Sequence, residues 1–180
     1  MRGVAGRAGV APALVAHYHP VMDELVASAF TAVVAAELEE VRALLDREVD
    51  PTARLAALLR TLLDGTRDDV TLVWVEAWAL GRRNEALARA VREQMDAWQS
   101  VFQTIIEAGV ARREFDTQDA AAVAWQVLGM IDGLNAQALV RWGEAEARGS
   151  LISRAIEGML GLERGTLGTN TSRSLSSIGP

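Results

Sequence analysis

The sequence predicts an all-α fold. Apolar residues recur every three to five positions, no segment shows a comparable period-two alternation, and prolines fall where periodic segments begin. With 180 residues, 50% hydrophobic and 23% charged, the chain can bury one substantial core. The spacing predicts helices near 2–8, 12–19, 21–47, 51–64, 68–81, 84–111, 117–140 and 150–162. Residues 164–180 are rich in Gly, Ser and Thr without periodicity and are expected to be disordered.

Residues 3–19, GVAGRAGVAPALVAHYH, read as a short helix, a tight turn at Gly9 and a second helix opened by Pro12. Val4, Ala8, Val10 and Leu14 are placed to pack the two together, which leaves the second free to enter a major groove. That is the form of a helix-turn-helix, and a plain surface hairpin is the alternative. After Pro20, a long stripe runs through Leu25, Phe30, Val34, Leu38, Val41 and Leu45. Its charge-free run, Leu25–Ala36, is well short of the ~20 apolar residues that cross a bilayer. Asp50 before Pro51 is a good N-cap, with Leu55, Leu58, Leu59, Leu62 and Leu63 behind it. A later helix carries Leu87, Val91, Met95, Trp98, Phe102, Ile105 and Ile106, and Asp116 or Thr117 can cap the one after it.

Charge is unevenly spread. The net charge is −6, but residues 1–22 hold Arg2 and Arg7 and no acid, whereas the remainder holds 16 arginines and 24 acids. The net charge by itself argues against nucleic acid as a partner, but a small basic end on an acidic body is an asymmetry that reopens the question.

The run VAGRAGVAPALVAHYHPVMDELVASAF resembles the DNA-binding segment of TetR/AcrR-type bacterial regulators. Val4-Ala5, Ala8-Gly9-Val10, Leu14, His17-Tyr18 and Leu25 stand in register with that pattern. Further along, VTLVWVEAWALGRRN, a long helix and AWQVLGMIDGLNAQAL are similar to the C-terminal region of the branch containing choline- and betaine-linked repressors. The resemblance implies a helix-turn-helix module over 1–25, a ligand-binding and dimerisation body over 26–163 and a tail over 164–180. It also implies DNA contact by Arg7, Ala11, Pro12, Ala13, Ala16, His17 and Tyr18. The chain departs from the pattern in three ways. It begins almost at the family's second helix, so the module is expected to be incomplete as given. Ala11 replaces the usual Ser or Thr cap, and His19 and Met22 replace an aromatic and a cation.

All five tryptophans lie at or after residue 74. Helical tryptophans commonly fill cores or interfaces, and the resemblance implies an effector pocket among the later helices. Trp74, Trp78 and Trp98 are candidate walls, with Glu76, Gln94, Gln126 and Asn135 as candidate polar groups. Tryptophan faces beside a carboxylate would suit a quaternary ammonium. Wide apolar faces on the last two helices, including Trp125, Leu128, Ile131, Ile152, Ile156 and Met159, predict a four-helix interface in a homodimer.

An enzyme is excluded on inventory. The chain has no cysteine and no lysine, and its two histidines, His17 and His19, stand on different faces of one helix, which suits neither catalysis nor a metal site. No catalytic residue, cofactor or membrane partner is expected, and the default location is cytoplasmic. The expectation is a one-component regulator, a repressor released by a small apolar effector. The alternative is a dimeric helical ligand-binding protein without DNA binding.

Overall fold

In a computed structural model of the chain, residues 2–18 and 21–168 are described. Among them the backbone forms eight helices: α1 (Arg2–Ala8), α2 (Pro12–Tyr18), α3 (Met22–Leu45), α4 (Pro51–Leu63), α5 (Asp68–Gly81), α6 (Glu85–Ala111), α7 (Ala120–Ala138) and α8 (Ala145–Met159).

Local chemistry sets the boundaries. Asp50 accepts the Ala53 N–H at 2.9 Å, with Pro51 in the first helical position, so α4 starts where expected. Asn84 caps α6 by accepting from Leu87 N at 2.9 Å. Two starts differ from the sequence reading. The cap of α7 is Asp119, which accepts from Ala122 N at 2.9 Å, and neither Asp116 nor Thr117 takes that role. Helix α8 begins at Ala145, several residues before the predicted start, because Glu144 provides an extended N-cap residue and its carbonyl accepts from Arg148 N.

The long helices α3 and α6 lie together at the centre of the body. Phe30, Val34, Leu38, Val41 and Leu45 from α3 meet Leu87, Trp98, Phe102, Ile105 and Ile106 from α6. Helices α4, α5 and α7 pack against α6, and α8 packs on α4 and α7. Phe102 and Ile106 are completely buried, as an apolar stripe of period 3.6 on a central helix requires.

The α1–α2 hairpin turns at Gly9 (φ +67°), where Val10 N donates to Ala5 O at 3.0 Å. Its packing departs from expectation. Ala5 is buried, but Val4, Val10 and Leu14 are exposed, and so is Ala8. Among the described helices α1 and α2 pack only on each other, and one thin helix pair cannot cover its own apolar face.

The predicted tail also differs at its start. Residues 164–168 are described, and Leu167 is buried against the core. Glu157 Oε1 holds the segment by accepting from Gly165 N at 3.1 Å and Leu167 N at 2.9 Å. The expectations for Pro20 and for residues 169–180 lie outside the described residues.

Candidate functional site

One cavity lies where five helices converge. Helix α5 and the residue before it turn Arg67, Val70, Thr71, Trp74 and Trp78 toward it, a run at helical spacing that forms one stripe. Helix α7 presents Leu128, Ile131, Asp132 and Asn135 at i, i+3, i+4 and i+7, and α6 presents Met95 and Trp98. Leu62 from α4 and Glu37 from α3 complete the wall. The space between these walls, counted together with the solvent at its open mouth, is about 580 Å³.

The apolar side is aromatic. Phe30 meets Trp74 edge to face, with ring centroids 5.2 Å apart at 87°, and Trp78 lies 5.9 Å from Trp74 at a tilt of 41°. Such edge-on and tilted pairs fix the indoles in orientation. Trp98 is buried, and its indole N–H has no hydrogen-bond partner among the described residues.

The polar side holds three charged groups. Arg67 Nη1 donates to Glu37 Oε1 at 2.8 Å. Burial raises the Glu37 carboxyl above its ordinary range, opposed by the hydrogen bond and charge of Arg67. Asp132 has no such support. Burial alone pushes its carboxyl up to about 6, and no hydrogen bond or ion pair within the described residues reaches it. With Glu37 and Arg67 cancelling, ionised Asp132 leaves the cavity with one uncompensated negative charge.

Of the residues expected from sequence, Trp74, Trp78, Trp98 and Asn135 stand on this wall. Asn135 is partly committed, since its Nδ2 donates to Leu62 O at 3.0 Å and satisfies a carbonyl in the last turn of α4. Glu76 and Gln126 are exposed and off the wall. Gln94 is half-buried and also off the wall, with its Oε1 buried and unpartnered among the described residues. Sequence reasoning missed Glu37, Arg67 and Asp132. The signal for Asp132 was present, as a lone acid between Leu128, Ile131 and Asn135 in an otherwise apolar stripe.

The expected interface residues divide. Leu128 and Ile131 face the cavity, and Ile152 and Ile156 are buried inside the same chain. These four are corrected to core positions, because α4, α6 and α7 already cover that side of the last two helices. Met159 is half-buried, and Trp125 is 68% exposed on the outer face of α7.

At the other end, Arg7, Ala11, Pro12, Ala13, Ala16 and His17 are all exposed along the hairpin. The side chain of Tyr18 lies outside the described residues. Among the described residues no group of His, Asp and Glu is placed to hold a metal, and no helix is long and apolar enough to cross a membrane.

Comparisons with known proteins bear on the fold and the family. Residues 51–161 match the family model described as BetI-type transcriptional repressor, C-terminal, which is one of the TetR C-terminal models. The fold is similar to that of a TetR transcription regulator from Haloarcula marismortui, with a TM-score of 0.76 and 24% identity over 87% of this chain and 85% of that one. It is also similar to a putative TetR-family regulator from Rhodococcus sp., with a TM-score of 0.77 and 22% identity over 88% and 85% of the two chains. A Salmonella enterica protein, GusR, shares the fold at a TM-score of 0.68 and 17% identity over 89% and 84%. No curated protein matches the sequence. The family match covers more than half of the chain, and the chain belongs to the TetR family of transcriptional regulators, with a C-terminal body of the BetI repressor type.

Proposed function

We propose that this regulator binds operator DNA through the α1–α2 hairpin, works as a homodimer, and is released from DNA when a small, mainly apolar effector occupies the cavity. The observation that carries this reading is Glu37. It sits on α3, the helix that follows the hairpin, and it is also part of the cavity wall, paired with Arg67 at the start of α5. An effector that displaces or tightens that pair acts directly on the helix leading to the DNA module. Release requires only that the effector bind one orientation of α3 better than the other.

The exposed helix α2 would lie in the major groove. Pro12, Ala13 and Ala16 offer apolar contact to thymine methyls, while Arg7 and His17 offer contacts to phosphate. For the dimer, the outer faces of α7 and α8 bring Trp125, Gly129, Gly133 and Leu151 to the surface. The two glycines have open space beside them, so a second copy can approach closely.

A gel shift against the DNA upstream of its own gene, at low and at moderate salt, tests the reading. A retarded band that weakens steeply with salt is expected. Absence of a band at low salt would favour the purely ligand-binding alternative.

A further inference from the structure

The effector cavity carries a charge that nothing among the described residues balances. Glu37 and Arg67 satisfy each other at 2.8 Å, and α4 and α6 contribute no charged group to the wall. That leaves the Asp132 carboxylate, held in the middle of the α7 stripe between Ile131 and Asn135 and reached by no donor within the described residues. The carboxylate is half-buried and partly desolvated by the apolar wall, so a donor brought by a ligand into the cavity finds it without a competing partner among the described residues.

We propose that the effector is a protic organic monocation, an apolar body bearing a primary or secondary ammonium that donates to Asp132. This rests on the cavity being the effector site. One charge is required because, of the two carboxylates among the described residues of the wall, Glu37 is paired and Asp132 is not. An N–H is required because a charge-assisted hydrogen bond needs a proton on the cation, and a quaternary ammonium holds its charge behind methyl groups and leaves the carboxylate without a donor. An anion would face Asp132 with like charge and find the one guanidinium on the wall already engaged. The apolar body packs on Trp74 and Trp78, whose indoles line the same space.

The test is a titration of intrinsic tryptophan fluorescence at neutral pH with three probes of one skeleton: phenethylamine, its N-trimethylammonium derivative and phenethyl alcohol. It is carried out on the full chain and on Asp132→Asn. Phenethylamine should bind the native chain about ten-fold or more tightly than either analogue. Asp132→Asn should abolish that advantage, so that within the variant the amine binds no more tightly than the alcohol. In the native chain the advantage should also shrink as pH falls below about 6, where Asp132 takes up a proton. If the alcohol or the trimethylammonium compound binds as tightly as the amine, or if the advantage survives Asp132→Asn, the charge inference is overturned and the cavity reading stands. If none of the three binds, the cavity reading falls and the inference falls with it.

Discussion

Asp132 makes the fold pH-dependent in an unusual direction. Its carboxyl is raised to about 6 by burial, whereas an unfolded aspartate titrates near about 4. The folded chain therefore binds this proton more tightly than the unfolded chain does. The stabilisation is complete below pH about 4 and is lost as pH rises through about 6. Asp132→Asn should consequently be more stable than the native chain at neutral pH, by roughly 1–3 kcal/mol, with the difference closing near pH 4. Urea unfolding at a series of pH values measures this, and parallel curves for the two proteins would contradict it. Asn84 shows the opposite case, a buried polar group with both ends used. Its Oδ1 caps α6 and its Nδ2 donates to Asp23 O at 3.2 Å, tying the first turn of α3 to the start of α6. Asn84→Ala removes the cap and leaves that carbonyl without its donor, so a loss of about 1–2 kcal/mol is expected in the same unfolding assay.

At the scale of elements, the end of α6 depends on a glycine for space and not for backbone freedom. A Cβ added at Gly109 would lie 2.1 Å from Phe115 Cδ2, and the Gly109 carbonyl accepts from both Glu114 N and Phe115 N. Gly109→Ala should destabilise the chain by about 1–3 kcal/mol through overpacking. Adding Phe115→Leu should recover part of that loss, as a thermal melt of the double variant would show. Helix starts of this kind were legible in the sequence where a cap and a proline coincide, as at Asp50 and Pro51. They were less legible where several acids compete, as at Asp116 and Asp119, because which acid caps depends on the turn before it. The face assignments on α7 and α8 had a similar limit. Leu128, Ile131, Ile152 and Ile156 were recognisable as buried, but periodicity does not say whether the covering surface belongs to the same chain. The three cavity tryptophans were readable from helical spacing together with the family resemblance, since spacing alone fits core or interface filler equally well. Asp132 could have been found as a lone acid in the α7 stripe, whereas Glu37 and Arg67 could not, since local sequence does not distinguish a charged residue on a solvated face from one turned into a cavity.

For the whole molecule, the division of charge noted in the sequence corresponds to two distant parts, a hairpin with exposed Arg2 and Arg7 and a body whose cavity carries a net negative charge. Helix α3 joins them, and α6 backs it along its length. Dimerisation would place two hairpins on one DNA duplex. Because Trp125 is 68% exposed and packs on nothing in its own core, Trp125→Asp should leave the fold intact and yield a monomer in size-exclusion chromatography with light scattering. In the proposed function, cavity occupancy and DNA binding are coupled through α3. The most direct measurement is the affinity for its own upstream DNA, by fluorescence anisotropy, with and without saturating phenethylamine, in the native chain and in Asp132→Asn. The amine should weaken DNA binding by about ten-fold or more in the native chain and have no effect in the variant. An unchanged DNA affinity in the native chain, while tryptophan fluorescence shows the cavity occupied, would contradict that coupling.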